Sequence, residues 1–189
     1  SAINGDSLME MAVIVVDVIN DFVSGVLGTK RALGIIPNIR RLLGFARERG
    51  VSVIYTNDSH VPSVDKEFEI WPPHAIAGTW GAQVVDELKP EEGDYVLKKK
   101  RYSAFFGTDL DMLLRELGVG TLTLVGLVTH ICIQHTAADA FFRGYHVVIP
   151  EDCVEAPTGE THKSAIEFMK VNYGCEITSS GELIRKMEA

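Results

Sequence analysis

Long apolar runs are missing from this chain of 189 residues. No stretch approaches the roughly 18 residues that span a bilayer, and the first residues lack the basic-then-apolar order of a secretory leader. A soluble protein with no membrane partner is expected. Cysteine is scarce: Cys132, Cys153 and Cys175 are odd in number, far apart and without a Cys-x-x-Cys pair. Neither a disulfide framework nor a zinc ribbon is indicated, which points to a reducing, cytoplasmic setting. Positive charge is also short, with 18 Lys and Arg against 26 Asp and Glu and a net charge of -8. That balance argues against nucleic acid as a partner. There is no Gly-x-Gly-x-x-Gly and no Walker loop, so no nucleotide cofactor is expected.

What is present is an alternation of apolar runs and helical periodicities. Residues 1–10 are polar and irregular, and are set aside as disordered or foreign to the native chain. Residues 11–189 read as a single domain. Met11–Val16 is an unbroken apolar run, the mark of a strand buried on both faces, and Asp17 stands at its carboxyl end. Ile39, Leu42, Leu43 and Ala46 recur at helical spacing between Pro37 and Arg49, and Gly50 stops that helix. Val51–Thr56 is a second strand, followed by Asn57-Asp58-Ser59-His60. Residues 61–81 are rich in proline and aromatics, a long loop of the kind that is usually functional. A short helix over Val84–Leu88 precedes a third strand, Tyr95–Leu97, which runs into Lys98-Lys99-Lys100-Arg101. A helix bearing Leu110, Leu113, Leu114 and Leu117 leads to a fourth strand, Thr121–Val125. Beyond the helix that follows lie a fifth strand, His146–Ile149, a helix over His162–Asn172 and a short sixth strand, Glu176–Thr178. This is the pattern of a doubly wound α/β three-layer sandwich, a six-stranded parallel sheet with helices on both faces.

In such sheets ligands bind beyond the carboxyl ends of the strands. Asp17, Asp58, His60, the lysine cluster and Cys132 all fall at that edge. If Thr129 caps the helix after the fourth strand, Cys132 lies in its first turn, where free backbone N–H groups favour a thiolate. A cysteine nucleophile needs a base and a positive neighbour, which Asp17 and one of the lysines could supply. Asp58, His60 and the later His74 are ligand types suited to Zn²⁺, Fe²⁺ or Mn²⁺.

Three motifs in order, Val-Val-Asp17 with Asp21-Phe22, Lys99-Lys100-Arg101-Tyr102-Ser103-Ala104-Phe105-Phe106-Gly107-Thr108, and Gly126-Leu127-Val128-Thr129-His130-Ile131-Cys132, give the chain a resemblance. It is similar to the cysteine hydrolases of the isochorismatase-like superfamily, such as nicotinamidases and N-carbamoylsarcosine amidases. The resemblance implies a triad of Asp17, Lys99 and Cys132. It implies a cis peptide at Leu127-Val128 and an oxyanion hole from the N–H groups of Val128 and Cys132. It places a metal on Asp58, His60 and His74. True isochorismatases usually carry glycine where Cys132 stands, so cleavage of a C–N bond is implied, with a small-molecule amide as substrate and a homo-oligomer as the assembly. A nicotinamidase-like activity is the first expectation. An N-carbamoyl (ureido) amidase with the same triad is the alternative, and a non-catalytic ligand-binding or redox-sensing protein on this scaffold is a third. The chain departs from nicotinamidases at Asn57 and Ser59, usually Arg and Trp there, and at His130, typically acidic. Phe22, Trp71 and Arg101 are expected in the substrate pocket, Arg101 as a holder of a substrate carboxylate or as a structural ion pair. His135, His146 and His162 are expected away from the site, and Cys153 and Cys175 to be inert.

Overall fold

A computed structural model describes residues 5–188. Seven strands form its sheet: β1 Met11–Val16, β2 Ser52–Asp58, β3 Tyr95–Lys99, β4 Thr121–Leu127, β5 His146–Pro150, β6 Val154–Glu155 and β7 Glu176–Thr178. Their order is β3-β2-β1-β4-β5-β7, with the two-residue β6 against the end of β4, and every pairing is parallel. All six expected strands are present, and β6 is the addition, too short to leave a pattern in the sequence. The helices are α1 Gly5–Met9, α2 Asn20–Val23, α3 Lys30–Leu33, α4 Ile36–Glu48, α5 Leu110–Glu116, α6 Gln134–Phe142, α7 Gly159–Tyr173 and α8 Ser180–Glu188. None is long and apolar enough to cross a membrane.

Alternation along the strands sorts the core into two layers. Val13, Val15, Val53, Tyr55, Val125 and Leu127 pack with α4, α8 and Leu8 of α1. Ala12, Ile14, Val16, Ile54, Leu122 and Leu124 pack with α5, α6 and α7. The periodic residues of α4 are all buried, and trimming the fully buried Leu42 to alanine would cost about 2–5 kcal/mol.

Three expectations need correction. Residues 1–4 lie outside the described residues, but Gly5–Met9 is helical and seats Leu8 in the core, so this part of the first ten residues is ordered. The helix expected over Val84–Leu88 is only a 3₁₀ turn at Asp86–Leu88, because Val84 instead bridges Ile19. The helix expected from His162 begins at Gly159, where the Thr158 side chain accepts from the Thr161 N–H.

From β1 the chain winds outward through β2 to β3, and from β4 it winds the other way. The order therefore reverses between β1 and β4, opening a crevice at their carboxyl ends. Gly126 allows those two ends to meet: at φ +120, a Cβ there would lie 2.0 Å from the Val16 carbonyl oxygen.

Candidate active site

Four strand ends deliver the reactive side chains to this crevice. Asp17 follows β1 with φ +53, its N–H donating to the Thr56 carbonyl, and its Oδ1 accepts the Asp58 N–H at 2.7 Å. Lys99 closes β3, and alternation turns it inward while Lys98 and Lys100 stay exposed. Its Nζ lies 2.7 Å from Asp58 Oδ1, 2.8 Å from Asp17 Oδ2, 2.9 Å from the Arg101 carbonyl and 3.4 Å from Cys132 Sγ. The contact with Asp17 Oδ2 is off the hydrogen-bond direction, which leaves that oxygen without a hydrogen-bond partner. Asp17, Asp58 and Cys132 have ligand atoms within 4.8 Å of one another, so the free carboxylate oxygen and the thiol share one small space.

Burial dominates the electrostatics. It raises Asp17 to about 6, assisted by the Asp58 charge and opposed by Lys99. Burial acting alone would lower Lys99, but Asp17, Cys132 and Asp58 together hold it well above its ordinary value, so it is a fixed cation. The Cys132 thiol is pushed well up by burial, which outweighs the Lys99 charge. This corrects the expectation of a thiolate favoured by a helix N-terminus: the resting group is a thiol beside an ionised carboxylate.

The turn that presents Cys132 also differs from the expected cap. Thr129–Ile133 is a π-helical turn and α6 starts only at Gln134. Such turns often mark functional sites. The Thr129 hydroxyl does not cap this turn but lies 2.8 Å from His162 Nδ1 on α7. His162, expected away from the edge, therefore reaches the cysteine turn. The Leu127-Val128 peptide is cis.

A second cluster stands beside the triad. Asp58, His60, Glu67 and His74, all buried, place one ligand atom each within 4.8 Å of the others. The tautomers can be read from their outer partners. His74 Nδ1 lies 2.7 Å from the Pro72 carbonyl, which can only accept, so Nδ1 carries the proton in that contact. His60 Nδ1 lies 2.7 Å from Asp65 Oδ2. Although burial opposes it, the Glu67 N–H and His60 hold Asp65 below the usual carboxylate range, so it accepts; burial acts to lower His60 in turn, but Asp58, Asp65 and Glu67 together raise it above its ordinary value. The inward Nε2 atoms face carboxylates: His60 Nε2 is 3.4 Å from Asp58 Oδ2, and both Nε2 atoms are 3.8 Å from Glu67 Oε1. His60 Nε2 and Glu67 Oε2 are buried with no hydrogen-bond partner. Two imidazoles and two carboxylates that converge in a buried site and leave polar atoms unpaired would be satisfied by a cation, and burial with the Asp58 charge pushes Glu67 up to about 7. The donor set, two imidazoles and two carboxylates with an outer carboxylate on one imidazole, fits Zn²⁺ or a similar divalent ion.

Asp58, His60 and His74 thus come together as expected. Glu67 and its neighbour Asp65 escaped notice because they lie within the long loop, where no periodicity marks an inward residue. A further unforeseen contact steadies His74. Asp21 Oδ2 accepts the Ala75 N–H at 2.8 Å, and a Cβ on Gly81 would lie 2.0 Å from that same oxygen.

Both clusters open on one cavity of about 170 Å³, small beside the roughly 300–1,000 Å³ of drug-sized sites. Phe22, Trp71, Tyr102 and Ile131 form apolar walls, and Asp58, Glu67, His74, His130 and Cys132 supply the polar atoms. The Trp71 indole N–H donates to Tyr102 Oη at 3.2 Å. His130 is lowered by burial and by His135, so it is a neutral imidazole, and its Nδ1 is buried without a partner. Phe22 and Trp71 therefore sit where the pocket was expected, and Arg101 does not. Its guanidinium turns to the outer side and pairs with Asp65 Oδ1 at 3.0 Å, drawn there by the carboxylates behind the histidines.

The model of the isochorismatase domain matches residues 11–182. The N-carbamoylsarcosine amidase of Thermoplasma acidophilum is 41% identical, covers 90% of this chain and 96% of its own, and superposes with a TM-score of 0.85. The nicotinamidase/pyrazinamidase of Bacillus subtilis is 34% identical over 90% of this chain and 100% of its own, with a TM-score of 0.86. The pyrazinamidase of Pyrococcus horikoshii, solved in complex with zinc, is 32% identical over 90% and 99%, with a TM-score of 0.84.

Proposed function

Because this chain belongs to the isochorismatase family, we propose that it is a cysteine amidohydrolase that releases ammonia from a small, uncharged carboxamide of the nicotinamide type. One observation carries the reading: Cys132 Sγ lies 3.4 Å from Lys99 Nζ in the cavity whose other wall is the histidine–carboxylate cluster. Sγ attacks the amide carbon while its proton passes to Asp17, whose Oδ2 lacks a hydrogen-bond partner. The N–H groups of Val128 and Cys132 receive the oxyanion. Asp17 then gives the proton to the departing nitrogen, and ammonia leaves a thioester on Cys132. Water, deprotonated by Asp17, adds to the thioester, and the carboxylic acid departs as the thiol reforms. Lys99 stays charged throughout and offsets the negative charge of Asp17 and Asp58. Asp58, His60, Glu67 and His74 would hold a divalent metal, which supplies a Lewis-acid site for a substrate ring nitrogen or carbonyl.

A second reading, hydrolysis of an N-carbamoyl amino acid, is favoured by the 41% identity to an N-carbamoylsarcosine amidase. Against it stands the cavity wall, where no Lys or Arg side chain is free to meet a substrate carboxylate. The test is ammonia release from nicotinamide and from N-carbamoylsarcosine side by side, with native, chelator-treated and Cys132→Ala protein. Turnover of nicotinamide that falls with chelator and vanishes in Cys132→Ala supports the first reading. Turnover of the carbamoyl compound alone, indifferent to chelator, replaces it with the second.

A further inference from the structure

The outward face of α7 is a large helical surface on which four charged side chains have no partner among the described residues. The helix turns Ala165, Ile166 and Met169 into the core and leaves Glu160, Lys163, Ser164, Glu167, Phe168, Lys170 and Val171 exposed. Glu160, Lys163, Glu167 and Lys170 stand at helical spacing along one stripe, two acids and two bases alternating. None of them forms an ion pair or side-chain hydrogen bond among the described residues, although the intervals of three and four would allow pairing within the helix. Beside this stripe lies an apolar body. Val171 is 69% exposed and Phe142, from the end of α6, is 70% exposed, with Phe141 and Phe168 also half-open around Tyr173.

The charge order identifies the occupant. Read backwards, the stripe is its own complement: in an antiparallel pair of α7 helices centred on residue 165, Glu160 faces Lys170 and Lys163 faces Glu167, and each pairing recurs by symmetry. An isologous two-fold contact needs a surface of this kind, in which residue i meets j and j meets i. The face is also neutral within a chain of net charge -8, so two copies can meet here without the repulsion that opposes their approach elsewhere. A strongly acidic or basic partner would find no such match. We propose that a second copy of this chain docks here, α7 against α7 in antiparallel two-fold contact along the charged stripe, with the exposed α6 phenylalanines beside it. This inference does not depend on the chemistry assigned to the cavity.

Charge reversal tests it on the full chain by sedimentation or light scattering, where the chain mass is 20.8 kDa. The native protein is expected at a multiple of that mass. The double variant Lys163→Glu, Lys170→Glu makes the stripe wholly acidic, and Glu160→Lys, Glu167→Lys makes it wholly basic. Each alone is expected to lose the α7 contact and halve its mass, with its circular dichroism unchanged. An equimolar mixture of the two should restore the native mass, because the acidic and basic faces now match. The quadruple exchange, which restores self-complementarity, should recover it within one chain. A monomeric native protein overturns the proposal. So does retention of the native mass by both double variants, or failure of the mixture of folded variants to reassociate.

Discussion

The two buried clusters that share the cavity are built on opposite principles. In the triad one built-in cation serves two carboxylates: Lys99 touches both Asp17 and Asp58, and the thiol stays neutral. In the cluster of Asp58, His60, Glu67 and His74, imidazoles and carboxylates converge at 3.4 to 3.8 Å and two buried atoms go unpartnered. The first arrangement is complete in the protein alone. The second would be completed by a divalent ion, and the proposed function accordingly assigns metal binding to the loop cluster and covalent chemistry to the strand ends.

Removing a piece from the complete side should have the largest effect. Lys99→Met leaves two buried carboxylates without their cation, and a loss of about 3–5 kcal/mol in denaturant unfolding is expected. Cys132→Ala should leave unfolding nearly unchanged while lowering ammonia release by about 10⁴-fold or more, since it removes the nucleophile and no charge. On the incomplete side the effects move to metal content. His74→Ala should lower bound Zn²⁺ below one equivalent after dialysis, with little change in apoprotein stability. Gly81→Ala crowds the Asp21 carboxylate that holds the Ala75 N–H, and metal affinity should weaken about 10–100-fold by titration, as for other outer-shell supports. The smallest effect is expected from Arg101→Ala, which touches the outer shell and not the cavity. The KM for nicotinamide should change by less than about threefold, because the half-exposed guanidinium pairs with Asp65 outside the cavity. Equal losses of metal from Cys132→Ala and His74→Ala would erase the distinction between the clusters.

The difference between the clusters also explains what the sequence made legible. The strands carry an unbroken apolar signal, so their ends, and with them Asp17, Asp58, Lys99 and Cys132, could be located by counting. Lys99 could be separated from Lys98 and Lys100 by alternation, but only once the adjoining motif had fixed the phase. Glu67, Asp65 and Asp21 sit in loops, where facing is decided by contacts distant in sequence, such as the one between Asp21 and Ala75. The role of His162 was hidden for a similar reason. Its helix begins earlier than the apolar spacing suggested, and 33 residues separate it from Thr129. Of the two roles open to Arg101 the structure shows the ion pair and not the pocket contact, and its partner Asp65 comes within reach only after the loop has folded back.

The central claim is that an acyl group passes through Cys132. Rapid acid quenching of native protein mixed with nicotinamide, followed by intact-mass and peptide analysis, tests it directly. The account predicts a transient adduct on the Cys132 peptide with the mass of the amide less ammonia, absent from Cys132→Ala. Ammonia release by the native protein with no adduct at any time, together with undiminished turnover by Cys132→Ala, would contradict it.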